Sequence, residues 1–306
     1  MKYDAVLLIA FGGPEKLEDV RPFLANVTKG RPVPPQRLEE VVHHYEVFNG
    51  RSPLNEITFR QARALQQRLD QEGPRLPVYV GMRNWHPYFP ETLAHMAKAG
   101  VRCALGIILS AQQSEAGWER YKENVSAARA QVGGPAPLVD YTPGWHDHPL
   151  FIKTVADLTR QVFAQIPTEQ WDRIPLVFTA HSVPVAMPGT PPYVQQIETG
   201  AGLVAAKLSH ARWSVAYQSR SGDPRTPWLE PDIGVVLSQL AAQGAHEVVV
   251  VPIGFVCDHI EVLYDLDIEA RQIATKHGLN LIRVGTVNDH PTFIRMLVEI
   301  VRKAAS

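Results

Sequence analysis

Few residues of the types that mark specialised classes of protein occur in this chain. Its 306 residues include two cysteines, Cys103 and Cys257, too few for a disulfide framework or a cluster held by four thiolates. With 30 lysine and arginine residues against 31 acidic residues, the formal net charge is -1, and that balance attracts no nucleic acid. We therefore expect a protein of a reducing compartment that does not bind nucleic acid.

Long apolar runs are also lacking. The longest, from Val248 to Val256, is interrupted by Pro252 and Gly254, whereas a transmembrane helix needs about 20 consecutive apolar residues. The run at Ala5–Ala10 near the N-terminus is too short for the apolar core of a signal peptide. The sequence therefore predicts no export, no transmembrane segment and a cytoplasmic location.

Several common catalytic motifs are missing. The chain contains no Gly-x-Gly-x-x-Gly after its first apolar run, no Gly-x4-Gly-Lys-Ser/Thr and no His-Glu-x-x-His. Dinucleotide binding, phosphate-loop binding and zinc proteolysis depend on the geometry of those motifs, so these classes are disfavoured. Ser182 and Ser219 lie outside any Gly-x-Ser-x-Gly turn, which disfavours a serine hydrolase.

What the chain does contain is a series of short runs rich in valine, isoleucine and leucine. Because these runs do not alternate with polar residues, they are typical of strands buried on both faces of a parallel sheet. Two sets of four strands are predicted, at Ala5–Ala10, Pro77–Met82, Cys103–Leu109 and Leu138–Tyr141, and at Leu176–Ala180, Trp213–Tyr217, Glu247–Pro252 and Leu279–Val284. Helical patterns are found at Glu56–Gln71, Tyr88–Ala99 and Pro291–Lys303.

This pattern predicts an α/β chain of two similar doubly wound lobes, each with a four-stranded parallel sheet. We expect an N-terminal lobe at residues 1–145 and a C-terminal lobe at residues 146–306, with the last helix free to pack back on the first lobe. Open parallel sheets bind ligands beyond the carboxyl ends of their strands. We therefore expect an active cleft between the lobes, a slot for a flat aromatic ligand lined by Trp85, Trp228, Phe255 and Tyr264.

The densest group of reactive side chains lies between Asp258 and Glu269, where five acids and one histidine occur without a lysine or arginine. On a helix, the acids at 258, 261, 265 and 269 would lie on one stripe, and their mutual repulsion would favour a divalent metal or an added proton. A solvated helix face is the alternative, which we disfavour because the stripe directly follows a strand end. A π-bulge would align the carboxylates further, but the sequence does not reveal one.

His181 directly follows the predicted strand Leu176–Ala180, so its imidazole should emerge at the same sheet edge as the acidic stripe. A single histidine after a strand is often structural, but an imidazole facing carboxylates can accept a proton near neutral pH or bind a metal. The sequence therefore predicts that His181 faces Glu261, Asp265 and Glu269. His259, two residues before Glu261, should point elsewhere.

Motifs along nearly the whole chain resemble the ferrochelatase family, which inserts ferrous iron into a porphyrin. The most specific are Ala180-His-Ser-Val-Pro184 and the run from Pro252 to Asp265. Further matching motifs are Phe11-Gly-Gly-Pro-Glu15, Asn26-Val-Thr-Lys-Gly-Arg31, Gly50-Arg-Ser-Pro-Leu54, Gly81-Met-Arg-Asn-Trp-His-Pro87 and Tyr217-Gln-Ser-Arg220.

The resemblance implies a role for each matching residue. His181 and Glu261 match the catalytic pair that faces the macrocycle, and Asp265 and Glu269 match acids that pass metal in or protons out. These four residues are thus the expected metal contacts, and which of the pair takes the pyrrole protons stays open. The residues implied to bind porphyrin are Phe11, Lys29, Arg31, Tyr45, Ser52, Arg83, Tyr121, Trp228 and Phe255. Iron is then a substrate, and no resident cofactor is expected.

The chain departs from parts of the family pattern. No cysteine-bearing tail follows Pro291–Lys303, so we expect no iron–sulfur cluster, and Phe11 replaces a tyrosine that could reach the metal in some relatives. The connection from Arg31 to Tyr45 is short, Pro-rich and without an apolar lip, as in the coproporphyrin enzymes. Coproporphyrin III has four carboxylates and protoporphyrin IX two, and rim cations suited to the former are Lys29, Arg31, Arg51, Arg83, Arg120 and Lys122.

Coproporphyrin III is therefore the favoured substrate, with protoporphyrin IX as the alternative. Two other functions stay open: a cobalt chelatase acting on a sirohydrochlorin-type ring, and a carrier of haem or another tetrapyrrole without catalysis. The expected partners are a porphyrin and ferrous iron, and transient contact with other enzymes of haem biosynthesis stays open.

Overall fold

The structure is a computed structural model that describes residues 2–30, 33–221 and 225–306. Contacts within the chain define two compact units. Unit 1 comprises Met1–Leu109, Ala116–Gly144 and Asp289–Ser306, and unit 2 comprises Ser110–Glu115 and Trp145–Asn288.

The strands agree closely with the apolar runs of the sequence. They are β1 (Ala5–Ala10), β2 (Val78–Met82), β3 (Cys103–Ile108), β4 (Leu138–Tyr141), β5 (Leu176–His181), β6 (Trp213–Gln218), β7 (Glu247–Val251) and β8 (Asn280–Arg283). Unit 1 contains one four-stranded sheet in the order β2-β1-β3-β4, and unit 2 contains a second in the order β6-β5-β7-β8. All the strand pairs are parallel, so the predicted α/β fold with two four-stranded parallel sheets is confirmed.

Helices connect the strands and cover the sheets. They are α1 (Leu17–Val27), α2 (Pro35–Glu46), α3 (Leu54–Glu72), α4 (Phe89–Lys98), α5 (Arg120–Val132), α6 (Pro149–Phe163), α7 (Thr190–Leu208), α8 (Ile233–Ala242), α9 (Ile260–Tyr264), α10 (Arg271–Lys276) and α11 (Pro291–Ala305). Two π-helical segments, Glu115–Glu119 and Asp265–Ala270, and a 3₁₀ segment, Thr168–Arg173, complete the helical structure. Among the described residues, no helix combines the length and apolar character needed to cross a bilayer.

Two features differ from the sequence-based expectations. The connection between Arg31 and Tyr45 contains α2, which begins with a proline at its first turn and buries only Val42. The predicted first lobe is continuous in sequence, whereas the segment Ser110–Glu115 belongs to unit 2. Asp289–Ser306 belongs to unit 1, a position that the expectation left open for the last helix. Helix α11 packs on α3, and the Arg302 Nε donates to the Gly73 carbonyl at 3.0 Å.

The core of unit 2 fixes the helical segment that follows β7. Val248 and Val250 of β7 pack with Val262 and Leu266 in one fully buried cluster. Because Val262 and Leu266 face the sheet, the acids at the intervening positions must lie on other faces of the helical segment. The apolar side chains thus fix the rotation of this segment about its axis.

Gly254 brings the end of β7 against the backbone of β5. Its N–H donates to the Thr179 carbonyl at 3.0 Å, and a Cβ at this position would lie 2.6 Å from the Cα and Cβ of Ala180. Only a residue without a side chain fits this approach, so glycine here sets the spacing between the two segments that follow β5 and β7.

We predict that Gly254→Ala destabilises the protein by about 1–3 kcal/mol, because the added methyl group overlaps the Ala180 backbone. The matched control is Gly202→Ala in α7, where the new Cβ would lie 3.6 Å from the Trp213 ring. That control should be neutral or gain about 0.5–1 kcal/mol from the helix propensity of alanine. Guanidinium unfolding measures both, and a Gly254→Ala variant as stable as its parent would contradict the prediction.

Candidate functional site

The carboxyl edge of the second sheet brings together residues from three connections. His181 ends β5 and lies beside Gln218, which ends β6, in the last pair of the ladder. The segment after β7 leads into α9, which carries Glu261. The distance between Nε2 of His181 and Oε2 of Glu261 is 3.8 Å, so the predicted approach of these side chains is observed.

The backbone holds the His181 imidazole in one orientation. Its Nδ1 hydrogen-bonds the Ser182 carbonyl oxygen, and a carbonyl oxygen can only accept, so Nδ1 carries the proton. In the neutral ring, the acceptor nitrogen is then Nε2, which lies on the side of Glu261. The Tyr193 hydroxyl donates to the His181 carbonyl at 3.0 Å, which fixes the end of the strand.

Residues after His181 pair with the segment that contains Trp228. The Leu229 N–H donates to the Val183 carbonyl at 3.0 Å, and the Ser182 hydroxyl donates to the Leu229 carbonyl at the same distance. This two-stranded contact holds Trp228 opposite Pro184. Among the described residues, the Trp228 Nε1 is a buried donor without a hydrogen-bond partner.

Gln218 and His259, to which the sequence assigned no role in the site, hold the backbone of Glu261. The Gln218 side chain is 1% exposed, and its Nε2 donates to the Glu261 carbonyl at 2.9 Å. The His259 Nδ1 accepts from the Glu261 N–H at 3.2 Å and caps α9. Burial lowers the pKa of His259, so this imidazole stays a neutral acceptor. The Phe255 ring contacts His259 edge-on, with 5.1 Å between centroids.

Asp265 is the most perturbed acid of the site. It begins the π-helical segment Asp265–Ala270 and is 8% exposed. Its pKa is raised to about 7, chiefly by burial and further by the charges of Glu261 and Glu269, while the hydrogen bond from the Ser219 hydroxyl opposes the rise. Asp265 can therefore gain or lose a proton near neutral pH.

The predicted acidic stripe is only partly correct. Glu261, Asp265 and exposed Glu269 form one electrostatically coupled series, aligned by a π-helical segment. Asp258 does not belong to it, because it precedes the helix cap and pairs with Arg283 at 2.8 Å. The prediction treated residue 258 as helical, whereas α9 begins at Ile260.

Of the four residues predicted to contact a metal, the structure brings His181 and Glu261 together, and metal binding by any of them stays a prediction. Within the ranges that the structure describes, no group of three or more histidine, cysteine or carboxylate side chains could hold a metal ion. His181 and Glu261 approach each other, while Asp265 bonds Ser219 and Glu269 is exposed. A metal held by the first pair would need further ligands from another molecule, such as ring nitrogens.

Three residues of unit 1 that were predicted to line a ligand form one aromatic group around Phe23. The Phe23 ring lies 6.1 Å from Phe11, 5.7 Å from Tyr45 and 6.3 Å from Trp85, each in an edge-on arrangement. Trp85 therefore lies in unit 1, whereas Trp228, Phe255 and Tyr264 lie in unit 2.

The other described residues that were predicted to contact porphyrin also lie in unit 1. The Arg83 guanidinium lies 5.8 Å from the centre of the Tyr121 ring, and Lys29 is exposed. Ser52 is buried, and its N–H donates to the Pro14 carbonyl at 2.9 Å. Arg31 lies outside the described residues. Contact of all these residues with a porphyrin stays a prediction.

Comparison with known proteins identifies a family. The ferrochelatase family profile matches residues 3–305. The chain is 45% identical over 311 residues to the coproporphyrin III ferrochelatase of Nocardia farcinica, covering 99% of this chain and 88% of that protein. It is 42% identical over 304 residues to the coproporphyrin III ferrochelatase of Mycolicibacterium smegmatis, covering 98% and 89%.

A solved structure shares the fold. SirB from Bacillus subtilis with Fe³⁺ superposes with a TM-score of 0.62 at 12% identity, covering 99% of this chain and 95% of that one. At this identity the likeness extends to the chain fold alone.

We predict that the stability of the protein depends on the protonation of Asp265. Its pKa is about 7 in the folded state against an ordinary value of 3.8. The stability that proton binding contributes is complete below about pH 4 and is lost as the pH rises through 7. Asp265→Asn does not titrate there, so between pH 5 and 8 it should gain on the order of 2 kcal/mol relative to the parent protein.

Chemical unfolding of both proteins at each pH measures this difference. In Ser219→Ala, loss of the donated hydrogen bond should move the transition to higher pH, because that bond lowers the pKa of Asp265. A stability difference that is independent of pH would contradict the assignment.

Proposed function

We propose that this chain, which belongs to the ferrochelatase family, inserts ferrous iron into coproporphyrin III. The observation that carries the proposal is the pair formed by His181 and Glu261, 3.8 Å apart, with an acid of pKa about 7 in the next helical turn. These groups can remove protons from a ligand and attract a divalent cation at one place.

The reaction requires a proton acceptor before it requires a metal ligand. A free porphyrin holds two N–H protons in its plane, and iron cannot bind four nitrogens until both protons leave. The Nε2 of His181 is suited to accept one of them, because the hydrogen bond of Nδ1 to Ser182 keeps the Nε2 lone pair available. We assign His181 as the acceptor.

Glu261 supplies negative charge beside that imidazole. Its carboxylate stabilises the imidazolium formed by proton transfer and attracts the incoming ferrous ion. The Gln218 amide and the His259 ring hold its backbone, so the carboxylate is positioned before substrate binds.

Asp265 and Glu269 extend this charge away from the pair. Because the pKa of Asp265 is about 7, it can pass protons in either direction near neutral pH. Glu269 is exposed and can exchange protons or hydrated metal with solvent. We propose that this series brings iron in and carries the released protons out.

The apolar residues near the pair suit a large flat ring. Trp228 and Phe255 belong to the two segments that flank His181 and Glu261, and we propose that both contact the macrocycle. Binding energy from such contacts can strain the ring, so that one pyrrole nitrogen tilts towards the metal.

Absence of a resident cofactor and a cytoplasmic location stay predictions.

The choice of coproporphyrin III is supported by two considerations. The relatives from Nocardia farcinica and Mycolicibacterium smegmatis carry that substrate in their names. In unit 1, Lys29 and Arg83 can meet carboxylates, and a substrate with four of them gains more from such contacts than one with two. We propose both as carboxylate contacts.

We predict that anaerobic turnover with Fe²⁺ is fastest with coproporphyrin III. Two extra charge-assisted contacts should raise kcat/KM at least about tenfold above that for protoporphyrin IX. The assay measures metalloporphyrin absorbance with purified protein and includes sirohydrochlorin with Co²⁺. Faster use of protoporphyrin would reverse the substrate choice, and faster use of sirohydrochlorin would indicate a cobalt chelatase. Tight haem binding without iron consumption would indicate a carrier.

We predict that His181→Ala lowers kcat by about 10²- to 10⁴-fold, because the pyrrole protons lose their acceptor. Porphyrin affinity should stay within about tenfold, since apolar contacts dominate binding. The control is His277→Ala, which removes an exposed imidazole at the end of α10. Fluorescence titration gives the affinity and the absorbance assay gives kcat; a kcat like that of the parent protein would refute the role.

A further inference from the structure

Arg283, at the end of β8, binds two carboxylates, one before α9 and one within the π-helical segment that carries Asp265 and Glu269. Its Nε and one terminal nitrogen donate to the two carboxylate oxygens of Asp267 at 2.7 and 2.9 Å. The other terminal nitrogen donates to Asp258 at 2.8 Å. The Arg283 side chain is only 14% exposed, so solvent screens these contacts weakly.

The two carboxylates held by Arg283 lie on either side of two functional positions along the chain. Asp258 directly precedes the cap of α9, and Asp267 lies within the π-helical segment. Glu261 and Asp265 lie between them. A guanidinium is planar and rigid, so one group that binds both partners fixes the distance between them. Asp258 is further fixed by Asn288, whose Nδ2 donates to it at 2.8 Å.

This contact supplies a constraint that apolar packing does not. Val262 and Leu266 fix the rotation of the segment, but packing of short apolar side chains leaves some freedom along the axis. A π-helical segment is rare and needs support from outside its own backbone. The bidentate bond from Arg283 to Asp267 gives that support in the middle of the segment.

The same contact also separates the acids of the segment into those that contact an arginine and those on the proposed iron path. Arg283 pairs with Asp258 and Asp267, and Arg271 lies 3.7 Å from Asp267, so two guanidinium groups together balance the charges of these two carboxylates. The other acids of the segment are Glu261, Asp265 and Glu269, which lie along the proposed iron path, and Arg283 contacts none of them. Without the guanidinium, two more carboxylates would compete for the incoming cation.

We propose that Arg283 is a positioning residue for iron: it holds the α9 cap and the π-helical segment so that Glu261, Asp265 and Glu269 form one path for the ion. This inference rests on the proposed iron insertion. Arg283 touches no reacting atom, and its effect should appear in the use of iron and not in the binding of porphyrin.

The test compares Arg283→Lys with its parent protein. Lysine keeps the positive charge but cannot bind Asp267 through two nitrogens while reaching Asp258. We expect the KM for Fe²⁺ to rise about tenfold or more, while the KM for porphyrin changes less than about twofold. Partial unfolding alone would lower kcat and leave both KM values unchanged, so the split separates positioning from loss of folded protein.

A matched control is Arg160→Lys in the same unit. The Arg160 guanidinium also joins two elements, donating to Asp157 at 2.9 Å and to the Lys207 carbonyl at 2.7 Å, far along the chain from the acids. Both KM values should stay unchanged in this variant. A second test variant, Asp267→Asn, weakens the same contact from the other side and should raise the KM for Fe²⁺ in the same direction.

The outcomes distinguish the two proposals. If the parent protein inserts no iron, the proposed function fails before the variants are compared. If the parent protein inserts iron and Arg283→Lys keeps the parental KM for Fe²⁺, the positioning role is wrong. An equal rise in the KM for porphyrin would also overturn it, since that result indicates a general distortion of the site.

Discussion

The site depends on the burial of one side of the helical segment after β7. Val262 and Leu266 are fully buried against the second sheet, and this packing keeps Glu261 and Asp265 outside the apolar cluster. Unpaired carboxylates could not occupy the buried positions without a large desolvation cost. The apolar contact therefore stabilises the fold and also orients the helical segment that carries the acids. The hydrogen bonds from Gln218, Ser219 and Arg283 then fix the positions of individual residues in that segment.

Most of the fold could be predicted because the strands are short and buried on both faces. The apolar runs give their positions to within one or two residues, as for β5, predicted at Leu176–Ala180 and observed at Leu176–His181. Helix α2 was not predicted, because its residues are mainly polar and only Val42 is buried. The return of α11 to unit 1 depends on contacts with α3, more than 200 residues earlier in the chain, which local patterns do not reveal.

The part of the site that could be predicted from the sequence is the part that follows from the order of the strands. His181 and Glu261 follow neighbouring strands, so the topology of a parallel sheet brings them together. The roles of Gln218, Ser219 and Arg283 were not predicted. Their hydrogen-bond partners are 16 to 46 residues away in sequence, and no local sequence pattern links such distant positions. Asp258 was wrongly added to the stripe because helical spacing was extended past a cap that only the backbone conformation defines.

The close approach of Gly254 to Ala180 has a consequence for how the protein can change. Because the main chain at Gly254 contacts the main chain of β5 directly, main-chain geometry sets the distance between the His181 imidazole and the Glu261 carboxylate. Substitutions in the core of unit 2 that add or remove a methyl group should therefore leave that distance unchanged. A change in the preferred metal ion would therefore require side chains of different length at positions 181 and 261, because the main chain beneath them leaves almost no room to change their separation.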